Sequence, residues 1–178
     1  MGQLTRTIAL VGMMGAGKSS IGRRLASRMK VKFHDADTEI EHAAGCPIPE
    51  IFERYGEPAF RDCERKVISR LLGEPPHVLA TGGGAFMEAE TRARIRELAL
   101  SIWIKAPVDV LLDRVKRKDN RPLLKNGDPR EILERLLKER EPIYAEADLA
   151  VESENGPHSD TVDRIVGVLA ERGIWVAP

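Results

Sequence analysis

Thr7-Ile-Ala-Leu-Val-Gly12-Met-Met-Gly-Ala-Gly17-Lys18-Ser19 runs from an apolar pentapeptide through a glycine-rich turn into an amphipathic segment reaching about Met29. The apolar run reads as a buried strand and the segment after it as a helix. Between them, Gly12 to Ser19 matches G-x-x-x-x-G-K-[ST] in the context that gives the motif its meaning. Glycines let the backbone curl until successive N–H groups face phosphate oxygens, and the positive end of the helix dipole adds to that field. Lys18 is placed to reach β- and γ-phosphates, and the Ser19 hydroxyl to ligate Mg²⁺. The alternative is a glycine-rich strand-to-helix turn with an accidental Lys-Ser.

Working outward, short apolar runs alternate with amphipathic segments. Val31 to His34, His77 to Ala80, Leu100 to Ile104 and Leu149 to Val151 read as further strands. Helices are expected over about 88–98, 107–116, 129–145 and 159–172. Asp37 to Ala44, Ile48 to Tyr55 and Glu57 to Leu72 form a helical insertion broken at Gly45-Cys-Pro47 and at Gly56. Strands separated by helices imply an α/β fold with a parallel sheet covered on both faces. Ligands of such sheets bind beyond the carboxyl ends of the strands, and every motif here lies just after a strand or in an insertion.

The chain has 178 residues, enough for one domain with a continuous core. Lys plus Arg and Asp plus Glu both number 28, so no global charge draws the chain to nucleic acid or membrane. Cys46 and Cys63 form no C-x-x-C pair and read as reduced structural thiols. No apolar run approaches the ~18 residues of a membrane span. Arg6 stands where a myristoylation motif wants Ser or Thr, and no secretory segment precedes the first strand, so cytoplasm is expected.

The loop specifies a nucleotide but not its use. No N-K-x-D string marks guanine recognition, and strands three and four end in Thr81-Gly82 and Lys105-Ala106 rather than in Asp. The metal-side carboxylate is therefore sought at Asp35. In His34-Asp35-Ala36-Asp37, one extended step separates the carboxylates by about 6–7 Å, so each can serve a different ligand in one cleft. Asp35 is assigned to Mg²⁺, and Asp37 to the acceptor hydroxyl as hydrogen-bond acceptor or base. The competing reading for Asp37 is the N-cap of a helix starting at Thr38.

Arg61 and Arg140 could each be solvated helix residues. Together with Asp37 they suit an acceptor bearing hydroxyls and a carboxylate, which guanidinium pairs in bidentate fashion. Gly82-Gly83-Gly84 removes side chains where a sheet-bound ligand approaches; a flexible turn is the alternative. The segment from Lys116 to Asp128 is a surface loop or a lid that brings Arg121 onto the transferring phosphoryl group and excludes water.

In this order, the phosphate loop, the D-x-D of Asp35 and Asp37, Phe60-Arg61, the triple glycine, Arg121-Pro-Leu-Leu124, and Arg140 with Tyr144 strongly resemble bacterial shikimate kinases. The resemblance spans about residues 7–149 and implies a nucleoside-monophosphate-kinase-like fold with strand order 2-3-1-4-5. It implies a single domain: core 5–35, 74–115 and 129–175, a substrate-binding insertion at about 36–73, and a lid at about 116–128. The implied reaction is γ-phosphoryl transfer from ATP, with Mg²⁺, to the 3-hydroxyl of shikimate, by a monomer. By that analogy Gly12, Gly15, Ala16, Gly17, Lys18, Ser19, Ser20, Arg114, Arg121 and Asn155 serve ATP. Asp37, Arg61, Gly82, Gly83, Gly84 and Arg140 serve shikimate, and Lys18, Asp37 and Arg121 serve catalysis. Two positions depart from the family: Ala36 replaces the usual Ser between the aspartates, and the loop at Asn155 offers no arginine. The rival readings are another small-metabolite kinase, such as a gluconate kinase, and a nucleotide-dependent regulator without transfer activity.

Overall fold

A computed structural model describes residues 2–117 and 126–178. Its centre is a five-stranded parallel sheet formed by β2 (Thr7–Val11), β3 (Phe33–Asp35), β4 (Val78–Ala80), β5 (Ala99–Lys105) and β6 (Leu149–Glu152). The spatial order is β3-β4-β2-β5-β6. A short strand β1 (Gln3–Leu4) pairs antiparallel with β7 (Trp175–Val176) at the joined termini. Leaving that terminal pair aside, the order is the expected 2-3-1-4-5.

Every residue of β2 is buried, as a central parallel strand covered on both faces requires. Helix α1 (Lys18–Met29) lies on β3 and β4 and packs against α7 (His158–Glu171). Helix α4 (Ala89–Leu98) lies on β5 and against α3 (Ile48–Leu72), while α5 (Val108–Lys116) packs on α6 (Pro129–Tyr144). The insertion is α2 (Ala36–Ala44) plus α3, which is kinked at Gly56, φ 82° and ψ 171°. Both predicted breaks are thus present: Gly45 ends α2 in the left-handed region, and Gly56 splits α3. No described helix is long and apolar enough to cross a membrane.

Three strand starts differ from the sequence expectation, β5 beginning one residue early at Ala99. Val31 is not in a strand, because its N–H bonds back to Ala26 while Lys30 takes the left-handed conformation and closes α1. His77 also precedes its strand. The terminal β1–β7 pair was not anticipated. Its register joins Gln3 to Val176 and Leu4 to Trp175, a long-range match that two-residue strands do not advertise.

Candidate active site

The loop from Gly12 to Gly17 leaves the carboxyl end of β2 and enters α1. Gly12 has φ 144°, and a Cβ there would stand 2.6 Å from the Ile104 carbonyl oxygen, so only glycine lets the loop turn past β5. Lys18 is buried, and its Nζ donates to the carbonyls of Gly12 (2.6 Å) and Met13 (2.8 Å). Those bonds hold the ammonium inside the curl of the loop. Arg114 braces the loop from outside, donating from Nη1 to Gly15 O (3.1 Å) and Ala16 O (2.9 Å). Its Nη2 reaches Glu154 O at 3.1 Å, which ties the loop to the segment after β6. The first turn of α1 holds no acidic side chain, leaving the positive end of its dipole uncompensated.

This loop borders a cavity of about 370 Å³ whose walls include Gly15, Gly17, Lys18, Ser20, Arg114 and Arg117. Gly12 and Ala16 do not line it; they act behind it, through the carbonyls that Lys18 and Arg114 hold. A second cavity of about 270 Å³ lies between the insertion and the triple glycine, walled by Phe52, Phe60, Arg61, Glu64, Gly84 and Arg140 among others. The two share Ser19, Asp35, Asp37, Gly82 and Gly83, so they meet at the acidic pair.

At that junction Ser19 Oγ donates to Asp35 Oδ2 at 2.5 Å. The other oxygen, Oδ1, accepts from the N–H groups of Asp37 (3.0 Å) and Thr38 (3.3 Å). The N-cap of α2 is therefore Asp35, not Asp37, because the helix starts at Ala36, earlier than expected. Asp37 is left to face both cavities. The Ser19 and Asp35 oxygens are hard donors beside the phosphate loop, a set that fits Mg²⁺, which takes one or two protein oxygens and completes its shell with phosphate and water. Among the described residues no cluster of three or more His, Cys, Asp or Glu offers a rival cage.

On the acceptor side Arg61 is held by Glu64 (Nη1 to Oε1, 2.8 Å) and Glu57 (Nη2 to Oε1, 3.3 Å). Glu64 is only 1% exposed, and its Oε2 has no hydrogen-bond partner among the described residues. Burial pushes its carboxyl above the ordinary value against the opposing pull of Arg61. Arg140 is buried, and its Nη1 likewise has no partner among the described residues. A buried guanidinium with an unmet donor is costly unless an anion completes it.

The triple glycine is explained by space rather than by backbone freedom, since none of its members has a positive φ. A Cβ on Gly82 would stand 2.9 Å from Glu64 Oε2 and 3.1 Å from Asp37 Oδ1. One on Gly83 would meet Arg140 Nη1 at 3.4 Å, and one on Gly84 would press into the Arg61 guanidinium, 2.5 Å from Nη1 and 2.7 Å from Cζ. Gly82 and Gly84 thus make room for charged walls of the acceptor cavity, while Gly83 makes room for the Met14 backbone nitrogen at 3.2 Å. Tyr144, fully buried beside Trp103, donates its hydroxyl to Gly83 O. Burial pushes that hydroxyl up to about 12, so it stays a donor.

Arg121, and residues 118–125 of the expected lid, lie outside the described residues. Asn155 is exposed and lines neither cavity; His158, just beyond it, does border the nucleotide side. Sequence reading missed His158 and Glu64. For Glu64 a signal existed, since it follows Arg61 at the i,i+3 spacing of one helix face. For His158 there was none.

Comparison with known proteins agrees with this geometry. The shikimate kinase family model matches residues 14–170. A shikimate kinase of Nitrobacter winogradskyi is 59% identical over 167 residues, covering 94% of this chain and 78% of that protein. The structure of a shikimate kinase from Acinetobacter baumannii, in complex with shikimate, superposes with TM-score 0.91 at 39% identity, covering 94% of each chain. A gluconokinase from Sinorhizobium meliloti reaches TM-score 0.63 at 19% identity and 95% and 94% coverage, a likeness of fold alone.

Proposed function

The chain belongs to the shikimate kinase family, ATP-dependent kinases of shikimate, and we propose that its two joined cavities hold the two substrates. ATP lies with its phosphates on the loop from Gly12 to Ser19 and with Ser20 and Arg114 at the walls. Shikimate lies in the smaller cavity, its carboxylate between Arg61 and Arg140, its hydroxyls toward Asp37 and the backbone of Gly82, Gly83 and Gly84. The observation that carries this reading is the shared wall at Ser19, Asp35, Asp37, Gly82 and Gly83, the only described place where both cavities meet the acidic pair.

Transfer then takes the γ-phosphoryl group from ATP to the 3-hydroxyl by positioning and charge stabilisation. Ser19 and Asp35 would hold Mg²⁺, which when bound with ATP neutralises charge on the β- and γ-oxygens. Lys18 stabilises charge on the phosphoryl oxygens, and Asp37 orients the attacking hydroxyl and accepts its proton. Arg121 is read as the lid arginine that completes the phosphate shell. The domain plan follows: one kinase unit of core, insertion at about 36–73 and lid at about 116–128, acting as a cytoplasmic monomer.

The test is ADP release with Mg-ATP and shikimate, gluconate, a nucleoside monophosphate, or no acceptor. Turnover is expected with shikimate alone. Release without an acceptor, or none with shikimate, overturns the reading.

Gly84→Ala is expected to raise the KM for shikimate by about 10–100-fold, because its Cβ displaces the Arg61 guanidinium and one charge-assisted contact is worth about 1.5–3 kcal/mol. The KM for ATP should change little, since Arg61 does not line the nucleotide cavity. Unchanged steady-state kinetics for shikimate would contradict it.

A further inference from the structure

Tyr144 ends α6 and is fully buried, yet it borders neither substrate cavity. Its ring lies on Trp103, 5.8 Å between centroids and 31° between planes, which clamps the phenol in the core. From there the hydroxyl donates to the carbonyl oxygen of Gly83. Arg140, one turn earlier on the same helix, stands against that hydroxyl with its guanidinium. A Cβ on Gly83 would also stand 3.2 Å from Met14 N, so the middle glycine is held between α6 and the phosphate loop.

From this placement we propose that Tyr144 is a positioning residue for the acceptor, fixing the peptide between Gly83 and Gly84 whose N–H the acceptor meets. The inference rests on the reading of the smaller cavity as the shikimate site. No described peptide bond is cis, and a planar trans peptide points its C=O and N–H in opposite directions. With the Gly83 carbonyl turned toward Tyr144, the Gly84 N–H is turned away from the phenol, and Gly84 borders the acceptor cavity. Three successive glycines bring no side chain to hold that plane, and glycine has the widest φ/ψ range. The Tyr144 bond supplies the constraint. Burial pushes the hydroxyl up to about 12, so it keeps its proton at neutral pH. The hydroxyl touches no substrate and acts through the backbone, favouring a ligand oxygen placed to accept from Gly84.

Tyr144→Phe keeps the ring on Trp103 and deletes the hydroxyl alone. The experiment measures shikimate binding by calorimetry, the KM for ATP and the unfolding midpoint. Shikimate is expected to bind about tenfold more weakly, with the KM for ATP unchanged. The unmet Gly83 carbonyl also lowers the midpoint, so Ile95→Val serves as the control. That variant removes a buried methylene group from α4, away from both cavities. It should lower the midpoint and leave shikimate affinity within about twofold. Binding of shikimate by Tyr144→Phe within about twofold of the unsubstituted protein overturns the proposal. So does an equal loss in Ile95→Val, which would trace the effect to stability, or an equal rise in the KM for ATP. If the unsubstituted protein fails to bind shikimate, the reading of the cavity falls, and the inference with it.

Discussion

Lys18→Ala is expected to lower kcat by about 10²–10³-fold, the usual loss when one preorganised donor to a developing anion is removed. In this protein the ammonium is fixed by the carbonyls of Gly12 and Met13 at 2.6 and 2.8 Å. Little reorganisation then remains for the moment of transfer. The same bonds give the residue a structural role, and removing it leaves two buried carbonyls at a cost of about 1–3 kcal/mol each where water cannot replace the donor. Lys18→Met separates the two contributions to packing and charge, because it keeps the stem and deletes the cation. Both variants should lose transfer in a single-turnover assay at saturating substrates. Near-normal turnover in a folded Lys18→Met protein would show that the cation does not serve the reaction.

The second large effect is expected at Arg61. Arg61→Ala should abolish measurable shikimate binding while leaving ATP binding intact, each checked by calorimetry. It should also destabilise the protein by about 3–5 kcal/mol, because Glu64 would remain as a buried carboxylate without its partner. Adding Glu64→Gln removes that uncompensated charge, so the double variant should recover stability without recovering acceptor binding. If calorimetry showed shikimate bound normally by the double variant, the acceptor cavity would be misassigned. If the double variant were no more stable than Arg61→Ala, the buried pair would not be the source of the loss.

Much of the site was legible as residue types, and less of it as roles. Asp35 was assigned to the metal and Asp37 to the acceptor or to a helix cap. The structure moves the cap to Asp35, whose two oxygens divide between Ser19 and the first N–H groups of α2. Helix boundaries shift by a residue at no cost to the periodic pattern, so that choice was invisible in the chain. The glycines were expected to admit a ligand; all three line the acceptor cavity, and beyond that expectation Gly82 also makes room for Glu64 and Asp37 and Gly84 for Arg61. Asn155 was assigned to ATP by resemblance, and the residue of that region which borders the nucleotide cavity is His158. Where a loop points depends on contacts with α1 and α5, far away in sequence.

By itself the sequence determined the phosphate loop, the alternation of strands and helices, and the set of charged residues able to receive two anionic substrates. These are local properties, set by periodicity, by glycine's conformational range and by side-chain chemistry. Only the tertiary structure decided that the two cavities share Ser19, Asp35, Asp37, Gly82 and Gly83, and that Arg61 and Arg140 converge across the triple glycine. The physical reason is that convergence belongs to the parallel sheet: β2, β3 and β4 end at one edge only once their register is paired.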